Sequence, residues 1–276
     1  MPYIKSKDDA KIYYETLGNE KSYPVILIHP IGGNINIWEH EISFILKKGF
    51  KIIVYEIRGH NRSSIGNNKN FTMHDLVYDL QILLDNLKIR KSALIGHSIG
   101  GAIASIYAKE HPEKVDAIIF INSASKRIPA EDLEKHFTTI EIATTKGMVA
   151  LAEWIMKDNV EAKKTFRDLN KWNYFKDVFT RTSVEGFVAA TEALYTMPDG
   201  KDDITLALKD ADDIQLFGIV GNEDKVFVQL MKEMKKDILR FEIKVIEGCD
   251  HWLIVENPDE LDKALEKFLD IIKSTI

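Results

Sequence analysis

SALIGHSIGGAIASIYAK, residues Ser92–Lys109, opens with the apolar run Ala93-Leu94-Ile95 and reaches Gly96-His97-Ser98-Ile99-Gly100. It continues in small and apolar residues at helical spacing, which predicts a strand turning sharply into a helix. Ser98 falls at the apex, where a non-glycine residue must hold strained dihedrals. Side chains two positions either side of it would collide, so Gly96 and Gly100 are what the turn requires. Gly101, Ala102 and Ala104 let the helix lie close to a sheet. Such a turn lifts the serine hydroxyl outward and aims the helix amino terminus at whatever it attacks.

Working outward, strand and helix patterns alternate. Tyr3–Lys5 and Lys11–Thr16 flank Asp8-Asp9 and read as an antiparallel hairpin. Pro24–Ile28 is a continuous apolar run of the kind buried on both faces of a parallel sheet. His29-Pro30-Ile31-Gly32-Gly33-Asn34 follows as a loop. A helix over Trp38–Lys48, a strand over Lys51–Glu56 and a turn at Arg58–Ser64 come next. Met73, Leu76, Leu80, Leu83, Leu84 and Leu87 mark one stripe of a helix over Thr72–Leu87. Val115–Ile121 is another buried strand.

From residue 124 to residue 212 the alternation stops. This segment is helical in pattern and rich in large apolar groups, among them Phe137, Met148, Trp154, Phe166, Trp172, Phe175, Phe179 and Tyr195. Strands return at Ile214–Val220 and Phe241–Ile246 around a helix over Val226–Lys236. Asn257-Pro258 announces a last helix, asparagine capping and proline in the first turn. The expected architecture is α/β: a mostly parallel open sheet with helices on both faces. Its organisation is a core of residues 1–123 and 213–276 with a helical insertion over 124–212.

The chain has 276 residues, 45% hydrophobic and 29% charged, enough for one large core. A net charge of −6, with no basic run interleaved with aromatics, argues against nucleic acid and anionic membranes as partners. No stretch is long and apolar enough to span a bilayer, and the first residues hold no apolar signal region. Cys249 is the single cysteine, so an internal disulfide and a multi-cysteine zinc site are excluded. A cytoplasmic protein is the expectation, without cofactor. No two histidines have metal-ligand spacing, so no metal is expected. Oligomeric state is not legible.

Three candidates for chemistry fall at carboxyl ends of predicted strands, where open α/β sheets bind ligands: Ser98, then Asp224 in Gly221-Asn222-Glu223-Asp224, then His251 in Gly248-Cys249-Asp250-His251-Trp252. A neutral serine hydroxyl needs an adjacent base to act as a nucleophile. Imidazole suits, since its pKa lies near working pH. A carboxylate would hold its tautomer and stabilise the cation formed. Glu223 and Asp250 compete with Asp224; adjacent residues point different ways, which disfavours Glu223. His40, His74, His111 and His136 read as surface residues. His60 belongs to a turn. His29 and His97, with Trp252, are carried as candidates for the substrate pocket, although loop anchor and sheet packing are the blander readings of the two histidines. Cys249 reads as a small buried residue.

These motifs in this order resemble the α/β-hydrolase fold family, especially its small esterase, lactonase and haloperoxidase-like members. Gly96–Gly101 matches the family's nucleophile elbow. His29–Gly33 is similar to its oxyanion loop, Arg58–Ser63 to its Arg-Gly-x-Gly-x-Ser turn, Gly221–Asp224 to its acid loop and His251-Trp252 to its His-Trp pair. The resemblance implies Ser98 as nucleophile, His251 as base and then acid, Asp224 as the orienting carboxylate, and the backbone N–H groups of Ile31 and Ile99 as oxyanion hole. It implies that the insertion is a helical cap. Some relatives place the acid after the strand matching Val115–Ile121, but Asn122-Ser123 stands there, and asparagine cannot supply the charge. Four departures from the pattern are Pro30 for glycine, Glu56 for aspartate, Asn61 for glycine and Asp250 for glycine.

The function implied is a serine hydrolase acting on uncharged carboxylic esters of short to medium acyl chain, with a small-molecule ester as partner. Hydrolysis of lactones or of a carbon–carbon bond in an anionic diketone are rivals in the same fold. Those substrates call for a cap arginine, for which Arg127, Arg167 and Arg181 are available. A receptor-like protein of low turnover is a rival of another class.

Overall fold

A computed structural model of the chain describes residues 2–126, 128, 133–158, 167–197 and 204–275; Arg127 and Phe166 lie outside them. The strands are β1 (Tyr3–Lys5), β2 (Lys11–Leu17), β3 (Pro24–Ile28), β4 (Lys51–Tyr55), β5 (Ser92–His97), β6 (Val115–Ile121), β7 (Gln215–Gly221) and β8 (Glu242–Ile246). They form one sheet in the order β1-β2-β4-β3-β5-β6-β7-β8. β1 with β2 and β2 with β4 are antiparallel; every other pair is parallel.

The described helices are α1 (Glu39–Lys47), α2 (Met73–Asn86), α3 (Ile99–Glu110), α4 (Leu133–Asp158), α5 (Leu169–Thr180), α6 (Val184–Tyr195), α7 (Ile204–Asp210), α8 (Lys225–Asp237), α9 (Leu253–Glu256) and α10 (Pro258–Thr275). Period-two alternation sends neighbouring residues of one strand to opposite cores. Ile26 and Ile28 join a core with Leu76, Leu80, Ile103 and Met231, from α2, α3 and α8. Val25 and Leu27 join another with Ile45, Leu261, Leu265 and Phe268, from α1 and α10. Helices therefore cover both faces, and buried strands read as unbroken apolar runs.

Local chemistry sets the ends. Thr72 and Asp75 form a capping box at α2, and Asp224 caps α8 by accepting from the Phe227 N–H. Arg58 is wholly buried and offsets its desolvation with a two-pronged contact to Asp79 plus bonds to Asp8 and Ser6.

α7 packs on α3 and α8, and its Ile204 and Leu208 belong to the sheet core. Helices α4, α5 and α6 pack among themselves and form the outer layer. α6 is tied to the Arg58 turn by backbone: the Ser183 N–H donates to Gly59 O, the Asn61 N–H to Arg181 O, and His60 bridges Thr182. Gly59 and Gly186 lie so close that a Cβ on Gly186 would stand 2.3 Å from Gly59 O. Among the described residues no helix is long and apolar enough to cross a membrane.

Candidate active site

The tight turn after β5 holds Ser98 at φ 54°, ψ −119°, a region costly for any residue with a Cβ. The surroundings enforce it. A Cβ on Gly96 would stand 2.3 Å from Gly100 C, and one on Gly100 would stand 2.2 Å from Ile28 O. The Ser98 N–H donates to Ile121 O at 3.0 Å, and its carbonyl accepts from Ser123 Oγ at 2.6 Å. The backbone is thus held on both sides while Oγ projects beyond the sheet.

His251, from the loop after β8, brings Nε2 to 3.1 Å from Ser98 Oγ. Its Nδ1 lies 2.8 Å from Asp224 Oδ2, from the loop after β7. The same carboxylate oxygen accepts from Asn122 Nδ2 at 2.8 Å. Burial works to raise the Asp224 pKa, but the His251 charge and the bonds from His251, Asn122 and Phe227 hold it below the usual carboxylate value. For His251 burial favours the neutral ring, yet Asp224, with Asp250 and Glu256 behind it, carries the pKa above the ordinary imidazole value. Phe227 stacks on the His251 ring at 5.4 Å between centroids. A hydroxyl, an imidazole and a carboxylate in series can move a proton off the hydroxyl and keep the resulting charge paired.

The loop carrying His251 is fixed by groups that sequence reading gave no role. Glu256, mostly buried, accepts the N–H groups of Asp250 and Trp252 on its two oxygens. Burial, opposed by these two bonds, pushes its pKa up to about 7. Asn122 also donates to Asp250 O, and its φ of 42° places the amide over the acid loop. Asp250 turns its carboxylate back to the His251 N–H. Only the left-handed tolerance of asparagine at position 122 offered a sequence signal; the Glu256 contact had none.

The pocket candidates take different places. His29 is wholly buried, its Nε2 accepting from the Ile57 N–H and its Nδ1 donating to Pro30 O. Burial, only partly offset by that bond to Pro30, holds it neutral with a pKa near 4. Both ring nitrogens serve backbone, so His29 anchors the loop rather than walling a pocket. His97 is also buried and donates from Nε2 to His251 O at 2.8 Å; its ring lies 5.4 Å from that of His251. Trp252 is nearly buried among Phe175 and Phe179 of α5, at 4.7 and 5.9 Å between centroids. It joins the sheet layer to the outer helices.

His136 is not a surface residue, contrary to expectation. It is half-buried on α4, its ring 4.0 Å from that of Tyr195. Burial and the charge of His251 pull its pKa down to about 3. His60 is buried too, accepting the Gly32 N–H and donating to Arg58 O.

The loop after β3 has an N–H without a backbone acceptor among the described residues. Gly32 N–H goes to His60 and Gly33 N–H to Pro30 O, while the Ile31 N–H makes no backbone bond among the described residues. Ile99, the first residue of α3, has no intrahelical acceptor for its N–H. Pro30 has a trans peptide bond and sits one residue away from that donor. Glu56 accepts three bonds from Arg62 and one from Asn61, which adopts φ 46°, so both departures in this turn are accommodated. Arg181 pairs with Asp177 on the surface, and Arg167 is exposed. Cys249 is buried, and burial lifts its thiol to about 11.

Comparison with known proteins gives a consistent family. A structure described in work on carboxylesterases of the ammonia-oxidizing thaumarchaeon Nitrososphaera gargenis superposes with a TM-score of 0.95 at 48% identity, covering 100% of both chains. An esterase from Thermogutta terrifontis superposes with a TM-score of 0.84 at 21% identity over 99% of both chains and shows the fold alone. The 3-oxoadipate enol-lactonase 2 of Acinetobacter baylyi is 25% identical over 96% of this chain and 97% of its own. Protein ABHD8 of Mus musculus is 23% identical over 91% of this chain, which spans only 56% of that relative's length. A family model for the alpha/beta hydrolase fold matches residues 23–258, and the chain belongs to that family.

Proposed function

We propose that the protein is a serine carboxylesterase for uncharged esters of short to medium acyl chain. The observation that carries the reading is the pair of contacts at His251: Nε2 at 3.1 Å from Ser98 Oγ and Nδ1 at 2.8 Å from Asp224. The likeness, at 48% identity, to a structure described with carboxylesterases supports the substrate class.

In this mechanism Ser98 Oγ attacks the ester carbonyl carbon as His251 Nε2 takes its proton. Asp224 holds Nδ1–H and stabilises the imidazolium. The N–H groups of Ile31 and Ile99 bind the oxyanion of the tetrahedral intermediate; losing one such donor typically costs about 2.7–4 kcal/mol of transition-state stabilisation. The C–O bond breaks, His251 returns the proton to the leaving alcohol, and an acyl group remains on Ser98. Water gives a proton to His251 and attacks that acyl group, and the carboxylic acid leaves as Ser98 regains its hydrogen. Asp250 and Glu256 make the His251 loop acidic, and Arg181 is engaged by Asp177, which supports a neutral substrate over the anionic lactone or diketone. p-Nitrophenyl esters of graded acyl length test the reading. Turnover is expected for wild type, and a rate indistinguishable from background for Ser98→Ala. Full activity in that variant would remove the nucleophile assignment.

A further inference from the structure

At the opposite side of the α1–α10 packing, His40 and Glu41 of α1 meet Asp262 of α10. One donor atom from each lies within 4.8 Å of the other two, and His40 Nδ1 is 3.1 Å from Asp262 Oδ2. Glu41 is wholly buried, yet neither of its carboxylate oxygens has a hydrogen-bond partner among the described residues, and Asp262 Oδ1 has none either. One atom each from His40, Glu41 and Asp262 converges there, and the buried, unpartnered Glu41 carboxyl, whose pKa burial pushes well above the usual carboxylate value, must be neutralised by a proton or a cation. A proton on His40 would answer Asp262 Oδ2 alone and leave both Glu41 oxygens bare. Lys48 is engaged with Glu266 and Asp270, and Lys171 with Glu256 O, while Lys47 lines the same cavity and its charge reaches Asp262.

We propose that His40, Glu41 and Asp262 bind one divalent cation of the zinc type. One imidazole nitrogen and two carboxylate oxygens suit that ion. The 3.1 Å separation of His40 Nδ1 and Asp262 Oδ2 is close to what two donors on one ion with bonds of about 2.1 Å would show. His40 Nε2 faces Asp259 Oδ1 at 3.5 Å, so its N–H can be oriented by a carboxylate while Nδ1 ligates. An open cavity of about 620 Å³, lined by His40, Asp262, Ser43 and Tyr174, gives the ion a route and room for water ligands. None of its lining residues is Ser98, Asp224 or His251. The ion would therefore staple the first helix of the chain to its last without entering the reaction.

The test uses the full chain, stripped with a chelator and dialysed, and zinc chloride as probe in calorimetry, elemental analysis and thermal melts. One equivalent per chain and a rise in Tm are expected for wild type, with esterase activity unchanged by chelator. His40→Ala, a surface change, and Glu41→Gln, which keeps the shape and removes the charge, should each weaken binding by at least about tenfold. Metal-free Glu41→Gln should melt no lower than metal-free wild type, since the buried carboxyl it replaces has no partner there. His74→Ala, away from the cluster, should bind as wild type does. No zinc binding by wild type, or affinity retained in both His40→Ala and Glu41→Gln, overturns the proposal.

Discussion

Asn122 Nδ2 donates to Asp224 Oδ2, the same oxygen that meets His251 Nδ1, at 2.8 Å in both contacts. Two donors on one carboxylate oxygen fix the torsion of the acid, so the imidazole meets a carboxylate of set direction. A second bond, from Asn122 Nδ2 to Asp250 O, ties the acid loop to the base loop. Asn122→Gly accepts the left-handed backbone and removes both bonds. It is expected to lower kcat by about tenfold, since hydrogen bonds to charged groups are worth about 1.5–3 kcal/mol, with KM little changed. Steady-state kinetics across an ester series checks this.

His251 sets the pH dependence. Its folded pKa lies above the ordinary 6.5, so the acid limb of kcat/KM should fall above pH 6.5, because the base must be unprotonated. Stability runs the other way. The raised pKa contributes stability that is fully present below 6.5 and is lost as pH rises through the folded value. Asp224→Asn removes the charge that raises the pKa and leaves burial, which lowers it. In that variant the residual acid limb should move below the wild-type position, and the His251 share of the fall in Tm with rising pH should shrink, only Asp250 and Glu256 remaining to oppose burial. A pH–rate profile paired with melts at the same pH values gives both readings.

The outer helices depend on a backbone contact. Gly186 abuts Gly59, with a Cβ position only 2.3 Å from Gly59 O and 2.6 Å from its Cα. Backbone cannot swing aside as a side chain can. Gly186→Ala is expected to destabilise by about 1–3 kcal/mol, as overpacking commonly does, and to raise KM as α6 and its neighbours lift. Denaturant melts and KM for the preferred ester measure the two effects.

Much of this was legible in the sequence because it rests on local necessity. β3 and β6 are continuous apolar runs, and the structure bounds them at Pro24–Ile28 and Val115–Ile121 as their hydrophobicity predicts. The elbow is legible because Gly96 must clear the backbone of Gly100 and Gly101 within the same few residues, although Gly100 itself is held small by Ile28 of β3. Asn61 at φ 46° follows from the tolerance of asparagine for that region. What sequence could not supply depends on approach between distant segments. Glu256 clamps the His251 loop only because the loop turns back on α9. His136 looks polar and exposed on its own helix until α6 brings Tyr195 against it. α7 packs on α3 for a like reason, a contact no local pattern announces.

His136 provides the sharpest probe of how the outer layer speaks to the base. Its pKa, near 3, is lowered first by burial and then by the charge of His251. At working pH His136 is neutral and leaves the His251 pKa to Asp224. His136→Lys would introduce an ammonium group in its place; a nearby positive charge disfavours imidazolium, so the His251 pKa falls and the acid limb of kcat/KM moves to lower pH. His136→Phe keeps the aromatic contact with Tyr195 without charge and should leave the limb where it is. If the lysine variant shifts the profile and the phenylalanine variant does not, the charge at position 136 on α4 reaches His251 in solution. Should both leave it unchanged, α4 stands farther from His251 than this structure has it.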